Sequence, residues 1–235
     1  MSAAIDHGYL PTGKYVINHD IMNCNAGEVA GNYLYSGRAL GVSEPWDIIQ
    51  LHPELEPMWC DITEHYKRIG LAHSENVIWD VSLKELGSHI NHHPSVFYYG
   101  PDECRYWGDQ DWLYAVEYIN SKNNFISLAN ELGVEVPLTL CFDSVQDIDI
   151  EDVQEAINYP LYLKAAISVA GVGIYRCASK RELSEAIDRF DSGVPVQIQE
   201  EIKTTTFLNL QYRIIGKEVV KLAASEQILD GCAHQ

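Results

Sequence analysis

Positive charge is what this sequence has least of. Sixteen Lys and Arg stand against 34 Asp and Glu, a formal net charge of −18 over 235 residues. Such a field repels nucleic acid and anionic membrane surfaces at long range, so neither is an expected partner. A phosphate-bearing ligand would have to be held by a few local cations. No apolar run reaches the roughly 18 residues of a membrane span. The first 20 residues carry Asp6, His7, Lys14, His19 and Asp20 where a signal segment would be apolar. There is no internal repeat, no low-complexity linker and no G-x-G-x-x-G fingerprint. The six cysteines (Cys24, Cys60, Cys104, Cys141, Cys177 and Cys232) lie far apart with no C-x-x-C pair, which argues against a zinc ribbon or a thioredoxin-like motif. A chain able to bury a sizeable core needs no disulfide staples, so reduced thiols in a cytoplasmic protein are the expectation.

What is present reads as α/β. β-prone runs at Lys14–Asn18, Trp46–Leu51, Asn76–Trp79 and Val96–Tyr99 alternate with helical stretches at Tyr33–Gly41, Pro57–Gly70 and Ser82–Ile90. That rhythm predicts a Rossmann-like parallel sheet in a first domain over residues 1–105. Gly100–Trp112 mixes acids and aromatics and reads as a loop, either facing substrate or packed as a linker. Beyond it, Trp112, Val116 and Ile119 share one helical face, and Ser121 is the N-cap of a further helix, Lys122–Leu132, stopped by Gly133. A second domain, 106–235, then runs strand Pro137–Phe142, helix Ile150–Ile157, strands Leu161–Ala165 and Gly173–Cys177, helix Ser179–Phe190 and strand Val194–Ile198. The order β-α-β-β-α-β describes a split α+β layer at about 135–202. Phe207–Ile215 and Glu218–Ser225 form a hairpin about Gly216-Lys217.

Lys164 is the first chemical anomaly, one lysine inside the apolar strand Leu161–Ala165. Desolvating an unpaired ammonium is costly, so it either meets an anion or sits on an edge strand and reaches out to water. The loop Ser168–Gly173 favours the anion, because small residues let backbone N–H groups approach a polyphosphate. Lys122 opens a helix, where the dipole disfavours a cation unless a phosphate attracts both; a solvated surface lysine is the alternative. Val194–Ile202 ends an apolar strand in paired carboxylates, either an ordinary strand end or a hinge whose backbone reads an adenine edge. His89 and His93 stand at i,i+4 and on one helix could share a metal or form a polar helix end. Asn23–Asn32 could be a strand-to-helix turn that holds a ligand.

Taken in order, a lysine opening a helix, that helix ending in Gly-Val before a proline strand, Tyr-Pro-x-x-x-Lys, Ser-x-x-Gly-x-Gly, a Ser-x-x-Glu-Leu helix and a Gln-Glu hinge make residues 105–235 resemble the ATP-grasp superfamily. "INSKNNF" and "ASEQILDG" look most like its carboxylate–amine ligases of the amino-acid or peptide kind. The resemblance implies ATP and Mg2+ as cofactors, with a small carboxylate and an amine as substrates. It implies phosphate contacts from Lys122 and Lys164, and a flexible loop of Ser168, Ala170, Gly171, Val172 and Gly173 over them. Glu200 would face the adenine amino group, while Glu201, Ile202 and Lys203 would offer hinge backbone. Lys221 and Gln227 would stand near the reaction centre.

The sequence departs from the family pattern in three places. "KTTTFLNL" follows the hinge where a ribose-binding carboxylate is usual, leaving Thr206 or Asn209 as substitutes. Ala170 stands where a purer phosphate loop has glycine. The family's magnesium ligands fall past "EQILDGCAHQ", so the expected metal residues are unknown and the ATP-grasp domain reads as incomplete. An incomplete domain would expose core surface and favour a homodimer. Beside the ligase reading stand two others: a nucleotide-binding module without turnover, and a structural or interaction protein that uses no ATP.

Overall fold

The computed structural model describes residues 13–21, 30–80, 82–168, 172–204, 206–215 and 217–226. Most of Asn23–Asn32, together with Ala170, Gly171 and Gln227, lies outside the described residues. The chain forms two compact units, Met1–Glu117 and Tyr118–Gln235.

The first unit is built on a four-stranded parallel sheet of β1 (Tyr15–Asn18), β2 (Ile48–Leu51), β3 (Val77–Trp79) and β4 (His93–Val96), in the order β3-β2-β1-β4. Parallel neighbours require crossovers, and helical segments supply them. A 3-10 turn (Asn32–Gly37) leads into α1 (Arg38–Val42), another (Pro53–Met58) leads into α2 (Trp59–Ile69), and α3 is Leu83–Leu86. Ile17, Leu40, Ile49 and Leu51 are fully buried in one cluster with Leu55 and Ala39, which is why the central strands read as nearly continuous apolar runs.

Three expectations for this unit are corrected. The last strand runs His93–Val96 rather than Val96–Tyr99, because pairing with β1 from Tyr15↔His93 to Asn18↔Val96 ends where β1 ends. Pro94 is tolerated there because β4 is an edge strand, where a missing N–H breaks no interior ladder. Gly100–Trp112 contains a helix, α4 (Pro101–Trp107), with proline in its first turn, Glu103 accepting from Gly100 N at 2.9 Å, and Gly108 closing it at φ 76°. His89 ends a 3-10 turn and His93 begins β4, so the pair shares no helix face. Among the described residues no three His, Cys, Asp or Glu side chains group as metal ligands, and no helix is long and apolar enough to cross a membrane.

Order β3-β2-β1-β4 reverses the direction of chain progress between β1 and β4. His19 follows β1 at this point, bonded to Ser95 Oγ at 3.2 Å. Burial first, and the Arg38 guanidinium second, lower its pKa from 6.5 to about 4. The folded state therefore refuses a proton that the unfolded chain accepts, and stability falls as pH drops from about 6.5 towards 4. At 1.4 kcal/mol per unit the loss is about 3 kcal/mol. Urea unfolding of the wild type and of His19→Gln at pH 7 and pH 4.5 should show the acid loss shrinking in the variant; equal losses would contradict this account of His19.

Helix α5 (Gln110–Asn120) begins in the first unit and ends in the second, where α6 (Lys122–Glu131) follows, with Ser121 Oγ accepting from Asn124 N as N-cap and Gly133 past its end at φ 67°. An antiparallel sheet follows, ordered β5-β8-β6-β7, from β5 (Thr139–Phe142), β6 (Leu161–Ala165), β7 (Ile174–Cys177) and β8 (Val196–Glu200). Helices α7 (Ile150–Ala156, capped by Asp149) and α8 (Lys180–Ile187, capped by Ser179) complete the split β-α-β-β-α-β layer. Val153 and Leu183 from the helices pack on Leu161, Leu163, Val196 and Ile198 of the strands. Each fully buried aliphatic side chain there contributes about 1.5–3 kcal/mol. The last strand begins two residues later than its apolar run suggests, at Val196, where the ladder to Phe142 starts. Strands β9 (Leu208–Ile215) and β10 (Glu218–Glu226) form the expected hairpin, whose residues Leu208, Leu210, Tyr212 and Ile214 alternate onto one exposed face.

Candidate functional site

Period-two alternation divides the second unit's sheet into two chemically different faces. Leu161, Leu163, Val196 and Ile198 turn to the helices. The opposite face carries Thr139 and Cys141 from β5, Gln197 and Gln199 from β8, Tyr162 and Lys164 from β6, and Ile174 and Arg176 from β7, paired across the ladders. Polar residues on this scale need a reason to stand on a half-covered sheet.

Lys164 is not an edge-strand lysine. β6 lies between β8 and β7, so its side chain rises from the sheet interior. Nζ donates to Gln199 Oε1 at 2.6 Å and lies 5.5 Å from the Tyr162 ring centroid. Burial pushes its pKa below the ordinary lysine value, and the Lys122 ammonium pushes it further. Lys122, the first residue of α6, donates through Nζ to Ser168 Oγ at 2.8 Å, and burial lowers its pKa too. The helix start is pinned: Lys122 N donates to Ala166 O at 2.8 Å, and Asn123 Nδ2 reaches Phe142 O and Val196 O at 3.2 Å each. Those anchors are the end of β5, the start of β8 and the residue after β6, so α6 opens at one end of the sheet beside the Ser168 loop.

Of that loop, Ser168, Val172 and Gly173 are described. Val172 is 57% exposed. Gly173 has φ 68°, and a Cβ there would meet Ala165 Cβ at 3.2 Å, so the return into β7 needs glycine on two counts. Its carbonyl accepts from Ala165 N at 2.8 Å.

A cleft of about 280 Å³ opens over the polar face, lined by Pro137, Tyr162, Lys164, Ile174, Gln199, Glu200, Ile202, Thr204 and Phe207. Pro137, Ile174, Ile202 and Phe207 give it apolar walls suited to a flat ring. Glu200 accepts from Leu138 N through Oε1 at 2.7 Å, which fixes the carboxylate at the rim. Glu201 turns away from the cleft: Arg176 grips it with two nitrogens, and Tyr162 Oη donates to it at 3.2 Å. The Arg176 hydrogen bonds hold the Glu201 carboxyl below the usual carboxylate range, and burial, then Glu201, raises Tyr162. Lys203 is exposed outside the cleft lining. Lys221 is exposed on β10 opposite Tyr212, and the structure does not bring it to the cleft. A larger, open hollow of about 1190 Å³ lies in the first unit along α2, lined by Lys67, Arg68 and Glu64 among others; its charges are mixed and it gathers none of the residues singled out above.

Sequence reasoning missed Gln199, Thr139, Tyr162 and Phe207. Only part of the signal is local for the first three: "LYLKA", "VQIQE" and "TLCF" each alternate side to side, but the polar set falls on the face of Lys164 only once β6 pairs with β8 and β8 with β5. Phe207 follows an irregular segment and had none.

No protein-family model matches the chain, and no curated protein sequence matches it. Solved structures do. The chain matches N5-carboxyaminoimidazole synthetase from Staphylococcus aureus, complexed with ADP, over 94% of its own length and 56% of that chain, at 12% identity and a TM-score of 0.57. It matches the carboxyaminoimidazole ribonucleotide synthase of Aspergillus clavatus, complexed with ATP, over 94% and 55%, at 13% identity and 0.54. A D-alanine–D-alanine ligase from Bacillus anthracis matches over 92% and 71%, at 12% identity and 0.50. The chain thus spans just over half the length of the two synthetases. These neighbours are ATP-grasp enzymes, and the likeness shows an ATP-grasp fold; fold alone assigns no reaction.

Proposed function

We propose that this chain binds an adenine nucleotide on the polar face of its second sheet, and that it serves a reaction in which ATP activates a carboxylate for attack by an amine. One observation carries the reading: Lys122 and Lys164 are two partly desolvated ammonium groups at one end of the sheet, burial lowering both pKa values and Lys122 lowering that of Lys164 further, with no carboxylate bonded to either among the described residues. Like charges brought together out of water oppose folding unless something anionic arrives. A polyphosphate does this, helped by the N-terminus of α6.

The base would occupy the slot between Pro137, Ile174, Ile202 and Phe207. A Glu200 carboxylate can only accept hydrogen bonds, so it suits the adenine amino group and repels a guanine keto oxygen. The ADP and ATP named in the synthetase structures support this choice. In the reaction, a substrate carboxylate oxygen attacks the terminal phosphorus and the bond to ADP breaks; the amine nitrogen then attacks the acyl carbon, the carbon–oxygen bond to phosphate breaks, inorganic phosphate leaves, and the nitrogen gives up a proton to water as the amide forms. The protein's share is to fix the phosphates and stabilise their charge rather than to supply a nucleophile. Magnesium has no grouped ligands among the described residues, and no step here runs through it.

Hydroxylamine is a strong amine surrogate and tests the reaction. Incubating the chain with ATP, hydroxylamine and a panel of amino acids and small carboxylic acids should yield ADP and a hydroxamate with one member. ADP binding with no hydroxamate from any member would remove the ligase half of the proposal. Absence of both would remove all of it.

A further inference from the structure

Lys164 is held by a directed chain of hydrogen bonds that continues well past its first partner. Lys164 Nζ donates to Gln199 Oε1 at 2.6 Å, Gln199 Nε2 donates to Thr139 Oγ1 at 2.9 Å, and Thr139 Oγ1 donates to Pro137 O at 2.8 Å. The direction is forced from the far end. A carbonyl only accepts, so the Thr139 hydroxyl gives its single proton to Pro137 O and turns a lone pair towards Gln199. That lone pair requires the amide's NH2, which leaves Oε1 aimed at the lysine. A flipped amide would set its NH2 against an ammonium and its carbonyl against a hydroxyl with no proton left. The ladders supply the alignment: Thr139 is opposite Gln199, Gln199 is opposite Tyr162, and Lys164 is the diagonal neighbour on the same face.

We propose that Thr139 is a positioning residue for Lys164, acting through the Gln199 amide to hold the ammonium ready for a polyphosphate. This rests on the nucleotide reading above. The choice of an amide matters chemically, because a carboxylate bonded to Lys164 would compete with phosphate for its charge, whereas an oriented amide holds the lysine in place and leaves the charge uncancelled. The charged and titratable groups around Lys164 fit that role. Lys122 opposes it from α6. Tyr162 lies beside it on β6 with its hydroxyl given to Glu201, and Arg176 on β7 occupies Glu201 further. Glu200 at the end of β8 is bonded to Leu138 N, and Cys141 on β5 carries a thiol that burial keeps protonated.

Thr139→Val keeps the β-branched shape and deletes the hydroxyl, while Thr139→Ser restores it. Two readouts separate positioning from mere structure. In the first, ADP should bind Thr139→Val about fivefold to tenfold more weakly than wild type, adenosine should bind as in wild type, and Thr139→Ser should bind both as in wild type. The second needs no nucleotide: competitive acetylation of Lys164 across pH 7–11, followed by mass spectrometry, should show Lys164 deprotonating at lower pH in Thr139→Val because its oriented acceptor is lost. An unchanged Lys164 titration overturns the proposal whatever the nucleotide does, and so does an equal loss of adenosine and ADP. If wild type bound no nucleotide while the Lys164 titration still moved, the nucleotide reading would fall and the positioning of Lys164 by Thr139 would stand.

Discussion

Lys164→Met is expected to weaken ADP binding about 100-fold, or about 3 kcal/mol, while leaving the ligand-free chain at least as stable as wild type. The two halves of that expectation have one cause. The ammonium is pulled out of water and faces a second ammonium, so without a ligand it opposes folding, and methionine relieves the strain at nearly equal length. With a polyphosphate present the same ammonium makes charge-assisted hydrogen bonds in a partly water-excluded cleft, where deleting one partner of a charge pair costs 2–5 kcal/mol in binding, of order. Lys122→Met should cost less, about tenfold, because Lys122 lies at the mouth of the helix with Ser168 as a neutral partner. A fluorescent ADP titration beside a thermal melt checks both halves. Unchanged binding together with a lower melting temperature would make Lys164 an ordinary structural residue.

Leu163→Ala, one residue away, should do the opposite: about 3 kcal/mol of stability lost, with the nucleotide contacts left in place. Leu163 is fully buried on the other face of β6, in the cluster with Val153, Leu183, Val196 and Ile198. Truncation removes the burial of three carbons and leaves a cavity that a closely packed sheet–helix layer closes only in part, a change that costs 2–5 kcal/mol, of order. Against a domain stability of about 5–15 kcal/mol, that is a large fraction. Urea unfolding of the second unit should show a lower midpoint, whereas Val172→Ala, at an exposed loop position, should leave it unmoved. A Leu163→Ala midpoint equal to wild type would mean that the helices do not pack on this sheet as described.

Adjacent residues with opposite roles also explain what the sequence could and could not disclose. Lys164 was legible because a cation interrupts an apolar run, and Ser121, Gly133 and the split strand order were legible from capping and periodicity. The surrounding site was not, since Gln199 and Thr139 gain meaning only when β5 and β8 pair, a non-local event that no window of sequence contains. Register governs the misses in the same way: Phe97, Tyr98 and Tyr99 have strand propensity, yet the β1 ladder ends at Asn18↔Val96, and past it Phe97 N donates back to Asn18 O at 3.2 Å outside the strand. Helix α4 was hidden by its acids and aromatics, although Pro101 and Gly108 mark both of its ends. The edge-strand alternative for Lys164 failed because strand order, unlike strand existence, is set by tertiary pairing.

The central claim is that two mutually repelling lysines form a polyphosphate grip beneath an adenine slot, and calorimetric titration of the wild-type chain with ADP tests it most directly, repeated with inorganic tripolyphosphate as competitor. The account predicts saturable one-to-one binding of ADP that tripolyphosphate weakens, because both ligands neutralise Lys122 and Lys164. Absence of ADP binding, or ADP binding that tripolyphosphate leaves untouched, would contradict it.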